Sequence, residues 1–302
     1  IMPRLVGSEM CIRDRQYKSH SLHQNIMNGD RFFWNTTTGW MMWNYAIGSF
    51  LCGATLCLYD GSANFPDIGV QWRFAKDAKI NHFGNGSAMF IASMKQNCKD
   101  VSNENLKFIK TIGATGSPLS IEAFKWLQKK LPSTQIISLS GGTDVCSAFI
   151  GGCPKLPVYA GFLQCNMLGA SIRAWDENGK SIKGKTGELV ITEPLPSMPV
   201  FFWGDENFKK YNDSYFVENQ EVWTHGDWIF IDELRGVLMQ GRSDATLNRN
   251  GIRIGTSEIY SVLDGIKEIK DSLIIDLNID GSSKLVLFVE TEHELNLSLI
   301  HI

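Results

Sequence analysis

Along the first half of the chain, short apolar runs of strand length alternate with longer stretches in which apolar residues recur at helical spacing. Strand patterns fall at Ile80 to Phe83, Leu106 to Ile112 and Gln135 to Ser140. Helical patterns fall at Pro66 to Lys79, Ser87 to Cys98 and Pro118 to Leu131, the last with Ser117 as an N-cap and Pro118 at the first helical position. This rhythm predicts an α/β fold, a parallel sheet with helices on both faces. Ligands of such sheets bind beyond the carboxyl ends of the strands.

After Val158 the pattern changes to short strands and turns. Ala170 to Trp175 and Gly187 to Thr192 flank Glu177-Asn178-Gly179, where Asn-Gly is a strong tight-turn signal. A mostly β subdomain is therefore expected, with one more strand at Gly236 to Gln240. Gly241-Arg242-Ser243-Asp244 then leads into a small α+β unit, with a helix at Ser257 to Leu263 and strands at Ser272 to Ile279 and Lys284 to Glu290. The stretch from Phe32 to Tyr59 carries no charge and is long enough to span a membrane. Thr36, Thr37, Thr38, Gly39, Asn44, Gly48, Ser49 and Gly53 interrupt it, so it predicts no membrane span but a buried strand, a helix from about Trp40, and a second strand.

Composition narrows the classes of function. With 43% hydrophobic and 20% charged residues, the chain is neither disordered nor fibrous. Lys and Arg number 29 against 32 Asp and Glu, a net charge of −3, so no positive field is available to hold nucleic acid or an anionic membrane. The seven cysteines, Cys11, Cys52, Cys57, Cys98, Cys146, Cys153 and Cys165, form no Cys-x-x-Cys pair. They read as reduced thiols of a cytoplasmic protein. Two terminal strings, Leu5 to Arg15 (LVGSEMCIRDR) and Leu297 to Ile302 (LSLIHI), resemble translated sequencing-adapter read-through and are set aside from fold reasoning.

Four polar segments could carry chemistry. The first two, Gly113-Ala114-Thr115-Gly116-Ser117-Pro118 and Ser140-Gly141-Gly142-Thr143-Asp144, both fall at predicted strand ends. Glycine allows close backbone approach, and a threonine hydroxyl and backbone N–H groups bind phosphate oxygens. A carboxylate beside them, Asp144, suits Mg²⁺ bridging those phosphates. Either loop alone is more simply an ordinary turn, but two on one edge favour a nucleotide. There is no Gly-x4-Gly-Lys-Ser/Thr motif, and Met89 stands where a dinucleotide fingerprint starting at Gly84 needs its third glycine. The third segment is Trp223-Thr224-His225-Gly226-Asp227-Trp228, whose Asp227 suits a ribose diol or, more plainly, a turn. The fourth runs from Gly241-Arg242-Ser243-Asp244 through Gly251-Ile252-Arg253-Ile254 to Glu258-Ile259 and is either a charged linker or a signature.

That fourth segment resembles the domain-hinge signature of the acyl-adenylate-forming, AMP-binding superfamily: Gly-Arg-x-Asp, Gly-x-Arg-Ile, Glu-Ile. Arg31-Phe32-Phe33-Trp34-Asn35-Thr36-Thr37-Thr38-Gly39-Trp40-Met41-Met42-Trp43-Asn44 resembles the branch that ligates acetoacetate to CoA, and with Gly116-Ser117-Pro118-Leu119 and Ser140-Gly141-Gly142-Thr143-Asp144 the resemblance covers Gln16 to Glu290. It implies a large α/β domain with a β subdomain and a small mobile C-terminal domain. It also implies ATP with Mg²⁺, CoA as co-substrate, and a two-step reaction through an acyl-adenylate. The chain then divides into part of the large domain, 16–242, and part of the small one, 243–296, with adapter-like ends at 1–15 and 297–302.

Carried onto this sequence, the resemblance assigns adenine contacts to Gly116, Ser117, Pro118, Ser140 and Gly141, with Gly142 in the same loop. It gives the α-phosphate contact to Thr143, the Mg²⁺ and phosphate side to Asp144, the ribose to Asp227, and ribose or phosphate to Arg242. The commoner Thr-Gly-Asp reads His225-Gly226-Asp227 here. Asp244 takes the hinge position, and Gly251 and Arg253 the CoA channel. The acyl pocket falls to Thr37, Thr38 and Trp40 with Gly141, which stands where acetyl-specific relatives carry tryptophan; loss of that indole is expected to open the pocket. The phosphate loop ending in Pro-Lys is expected before Gln16 and the catalytic lysine segment after Asn296, so the 302 residues alone are expected not to form acyl-adenylate. Two alternatives stay open: another short acid such as acetate or propionate, and a non-catalytic nucleotide or acyl-CoA binding module.

Overall fold

Phe32-Phe33-Trp34 places three large apolar side chains in succession, a pattern that only a strand covered on both faces satisfies. The computed structural model describes residues 3–291 except 218–220, 235, 244–246, 250–251, 255, 267 and 280–281. In it the run belongs to strand β1 (Arg31–Trp34). With β2 (Thr55–Leu56), β3 (His82–Gly86), β4 (Thr111–Thr115) and β5 (Gln135–Ser138) it forms an all-parallel sheet in the order β2-β1-β3-β4-β5.

Phe33 and Ile136 face one core, shared with helices α3 (Val70–Asp77), α4 (Ser87–Lys95) and α6 (Ile121–Lys130). Phe32, Trp34 and Ile137 face the other, shared with α2 (Met41–Gly48). Trp72 anchors the first: fully buried, it donates its indole N–H to Ser93 Oγ at 3.0 Å and stacks on Phe83 at 4.6 Å. Trp34 lies across β3 and β4, where a Cβ on Gly84 or Gly113 would come within 2.1 or 2.6 Å of its ring. Close packing of that indole is what the Gly84 position serves.

Helix α1 (Pro3–Lys18) includes the first adapter-like string and continues through Gln16 to Lys18. A short helix α5 (Asn103–Leu106), capped by Ser102, occupies the start of the expected strand Leu106 to Ile112, so β4 begins only at Thr111. Helix α6 begins three residues later than predicted. Its cap is Ser120, whose Oγ accepts from Ala123 N at 3.3 Å, because the preceding turn holds Gly116 at φ +87° and Ser117 O receives Ser87 Oγ at 2.6 Å. Ser120→Ala should therefore lower stability by about 1 kcal/mol in chemical denaturation. An unchanged midpoint would show that the cap contributes nothing.

The expected strand Gln135 to Ser140 divides. After β5 the chain turns into β6 (Ser140–Gly142), which pairs antiparallel with β7 (Ser147–Gly151), and β7 pairs with β8 (Cys165–Asn166). The subdomain that follows is an antiparallel sheet in the order β10-β9-β11-β12-β13. Its strands are β9 (Ile172–Trp175), β10 (Ser181–Ile182), β11 (Thr186–Ile191), β12 (Trp223–Ile231) and β13 (Val237–Arg242), with α7 (Lys209–Tyr215) inserted before β12. The C-terminal part holds β14 (Leu247–Arg249), β15 (Ile252–Ile254), α8 (Thr256–Asp264), β16 (Ile269–Ile279) and β17 (Ser282–Thr291), the predicted helix and two-stranded hairpin. Lys95 Nζ of α4 meets it at Asp264 Oδ1 (3.5 Å) and Ile269 O (3.4 Å).

The uncharged stretch forms strand, helix and strand as expected but is not wholly buried, since Trp40, Phe50, Leu51 and Leu58 are exposed. Among the described residues no helix is long and apolar enough to cross a membrane. All seven cysteines are free.

Candidate active site

Two carboxyl-end loops meet at the sheet edge. Thr115 Oγ1 donates to Leu139 O at 2.8 Å, which ties the Gly116-Ser117-Pro118 turn after β4 to the start of β6. Gly116, Ser117 and Pro118 are exposed there, and no atom stands within 4 Å of where a Cβ on Gly116 would project.

The third segment is placed by a β-bulge. Between β11 and β12, Glu188 pairs with Trp228 and Val190 with Thr224, so His225, Gly226 and Asp227 together oppose the single residue Leu189. Bulges bend a strand and re-aim its side chains. Gly226 takes φ +81°, its N–H donates to Glu188 Oε1 at 3.1 Å, and a Cβ on it would lie 2.9 Å from Arg242 Nη2. Glycine is needed there twice, for the backbone angle and for the guanidinium. Across the ladder Asp227 pairs with Arg242, the end of β13, and Arg242 Nη1 lies 3.7 Å from Asp227 Oδ1 and donates to His225 O at 3.3 Å.

These segments converge on β6. The His225 ring lies beside Gly142, where a Cβ would come within 2.8 Å of its Cε1, and it faces the backbone of Gly141. Its Nε2 is 3.8 Å from Asp227 Oδ2. Trp223 Nε1 donates to His225 Nδ1 at 3.1 Å, and Phe149 meets the ring edge-on at 4.7 Å. Burial, helped by the Arg242 charge, lowers the His225 pKa to about 4, so the ring is neutral at physiological pH. Tyr215, at the end of α7, stacks on Trp223 at 3.5 Å and donates its hydroxyl to Asp144 Oδ2. Burial, then the Asp144 carboxylate, raises the Tyr215 pKa.

The structure thus gathers Gly141, Gly142, Asp144, Asp227 and Arg242 in one cluster and sets the Gly116-Ser117-Pro118 turn beside Leu139, next to Ser140. Thr143 is exposed on the same loop as Asp144. Thr37, Thr38 and Trp40 are exposed on the loop leading into α2, whose Met41 and Met42 pack with Leu139 and Ala148, the latter being Gly141's partner in β7. The argument for an opened pocket at Gly141 needs correction. A Cβ there would stand 2.4 Å from Ser147 O, so the space beside it is filled by the backbone of β7, and the glycine serves the close β6–β7 pairing. Asp244 and Gly251 lie outside the described residues, and Arg253 sits in β15 opposite Asn248.

Sequence reasoning missed Tyr215 and the ring of His225. The available signal was the departure from Thr-Gly-Asp at position 225, together with the tyrosines that precede it. No group of three or more potential metal ligands occurs among the described residues. A single exposed carboxylate, Asp144, suits Mg²⁺ carried on substrate phosphates rather than a resident ion.

Comparison with known proteins places the fold. Residues 10–199 match the family model described as AMP-binding enzyme. The chain is 41% identical over 276 residues to acetoacetyl-CoA synthetase of Mus musculus, covering 90% of this chain and 41% of that protein. It is 40% identical over 273 residues to acetoacetyl-coenzyme A synthetase of Rhizobium meliloti (strain 1021), covering 90% and 42%. The chain spans about two fifths of the length of these curated relatives. Among solved structures, acetoacetyl-CoA synthetase from Streptomyces lividans superposes with a TM-score of 0.87 at 40% identity, over 96% of this chain and 45% of that one. An anthranilate CoA ligase in complex with anthranoyl-AMP shares the fold, with a TM-score of 0.81 at 19% identity, over 96% of this chain and 55% of that one. A family match across residues 10–199, laid over a parallel sheet whose carboxyl edge carries these loops, makes this chain a member of the AMP-binding enzyme family.

Proposed function

We propose that this chain is part of an acetoacetate–CoA ligase. A carboxylate oxygen of acetoacetate attacks the α-phosphorus of ATP, the α–β bridge breaks and pyrophosphate leaves. The CoA thiol then gives up its proton, attacks the acyl carbon and displaces AMP. One observation carries the reading: the chain is about 40% identical, across nine tenths of its length, to proteins named for that substrate in animals and a bacterium.

The loop geometry supports the nucleotide roles, and the family resemblance supplies those of Asp244, Gly251 and Arg253. The Gly116-Ser117-Pro118 turn, with Ser140 and Gly141, offers backbone to the adenine. Thr143 faces the α-phosphate, and Asp144, oriented by Tyr215, takes the Mg²⁺ that neutralises the phosphates when ATP is bound. Asp227 accepts from the ribose hydroxyls and Arg242 stands beside it for ribose or phosphate. Thr37, Thr38 and Trp40 line the acid, Asp244 is the hinge, and Gly251 and Arg253 belong to the CoA channel. The domain limits 16–242 and 243–296 and a cytoplasmic location complete the proposal, with acetoacetate, ATP and CoA as small-molecule partners.

Acid-dependent ATP–pyrophosphate exchange by the full-length protein tests it. A kcat/KM for acetoacetate at least tenfold above those for acetate and butyrate is expected, the discrimination that one polar contact to a keto oxygen supplies. Equal use of butyrate would move the assignment to a general short-chain ligase.

A further inference from the structure

His225 lies against Gly142, stands beside Asp227 and receives Arg242 on its carbonyl, yet none of the roles above employs its ring. Three contacts fix that ring. Trp223 Nε1–H donates to Nδ1, so Nδ1 is the acceptor nitrogen and the proton sits on Nε2. The Nε2–H faces the Gly141 backbone and stands 3.8 Å from Asp227 Oδ2. Phe149 closes the remaining edge, and Gly142 leaves the space that the ring fills. The His225 carbonyl meanwhile receives Arg242 Nη1.

We propose that His225 is a positioning residue of the nucleotide site: its ring, held in one tautomer between Trp223 and Gly141, sets the distance of the Ser140–Asp144 loop from Asp227 and Arg242. The proposal rests on the adenylate-forming reading. Its content is that phosphate-side and ribose-side groups, which arrive from different sheets, are held in register through one imidazole. The bulge at residues 225–227 interrupts the β11–β12 ladder while β12 stays paired with β13, and this ring is what joins the bulge to β6. Protonated His225 would present a second donor to the Trp223 N–H, so the neutral form is the one this cage accepts.

The test is AMP affinity by calorimetry and KM for ATP against kcat in exchange, on full-length His225→Ala, His225→Gln and His225→Asn, with thermal melts alongside. His225→Ala should raise both the AMP Kd and the ATP KM about tenfold, with kcat changing by less than about threefold. His225→Gln, which keeps an N–H donor at the reach of Nε2, should recover most of the affinity; His225→Asn, which is too short for Gly141, should not. If the alanine variant fails to fold, the Gln and Asn pair carries the comparison. Unchanged AMP affinity in a variant that only melts earlier would overturn the proposal, and so would equal affinities for Gln and Asn. Wild-type protein that binds AMP but exchanges with no acid would sink the ligase reading while leaving the AMP arm of this test intact.

Discussion

Asp227→Ala in the full-length protein should lower kcat/KM for ATP by about 10²- to 10³-fold in acetoacetate-dependent exchange, while the melting temperature moves by only a few degrees. The side chain is 13% exposed, lies in the bulge opposite Leu189, and has His225 Nε2 at 3.8 Å and Arg242 Nη1 at 3.7 Å. A carboxylate offers about four lone-pair sites, enough to accept from a diol beside the contacts it makes within the protein. Hydrogen bonds to a charged acceptor contribute about 1.5–3 kcal/mol each, and two of them in the lower half of that range account for the expected factor. Stability should respond weakly because the Arg242 side chain beside it is 50% exposed and water screens the charge left behind. Asp227→Asn keeps the shape and one acceptor and should lose about tenfold. Exchange by the alanine variant within threefold of wild type would remove Asp227 from the ribose.

Much of this arrangement was legible in the sequence because it depends on local pattern. Phe32-Phe33-Trp34 announced a strand covered on both faces, Asn178-Gly179 a tight turn after β9, though the strand it leads into is the short β10 and not the Gly187 to Thr192 strand expected, and Gly241-Arg242 the end of the second sheet. What the sequence concealed depends on tertiary neighbours. Ser117-Pro118 carries a good helix-start signal, but the turn before it is held by Ser87, so the cap passed to Ser120. Gly141 suggested room for a substrate, and the residue that decides otherwise, Ser147, reaches it only because β6 folds back on β7. Tyr215 meets Asp144 from 71 positions away, and nothing in either neighbourhood announces the other. The individual motifs were readable, and the cage of Tyr215, Trp223 and Phe149 around them was not.

The same limit hid a polar network at the opposite, amino edge of the parallel sheet, and there the largest stability effect is expected. Asp30 precedes β1, His82 opens β3 and Thr111 opens β4. His82 is fully buried; its Nε2–H donates to Asp30 Oδ2 at 2.9 Å and its Nδ1 accepts from Thr111 Oγ1 at 2.8 Å. Lys110 Nζ reaches Asp30 Oδ1 at 2.6 Å from a half-exposed side chain. Burial alone would raise the Asp30 pKa, but the hydrogen bonds from Lys110 and His82 outweigh it and hold the carboxyl below its ordinary 3.8. Burial lowers the His82 pKa below 6.5 despite Asp30. Asp30→Ala leaves both the buried His82 N–H and the Met27 N–H without an acceptor, at about 1–3 kcal/mol each, and should cost about 3–5 kcal/mol, on the order of 10 °C in melting temperature. Lys110→Ala removes only a screened partner and should cost about 1 kcal/mol or less. The pH dependence has one sign throughout. A histidine whose folded pKa is depressed takes its proton first in the unfolded chain, so stability falls as pH drops below 6.5, and His20 and His225, both lowered to about 4 by burial, act with His82. Asp30 contributes fully above 3.8, and its share is lost as pH falls through its lower folded value. Wild type should therefore lose stability steadily from pH 6.5 to 4, roughly 1 kcal/mol per pH unit for each of His20 and His225, with His82 adding in the same direction; below pH 4 those two histidines are protonated in the folded state as well and the remaining slope is that of Asp30. Denaturation midpoints measured between pH 7.5 and 3.5 decide the matter: a flat profile down to pH 4.5, or Asp30→Ala no costlier than Lys110→Ala, would mean that this network does not hold the amino edge of the sheet.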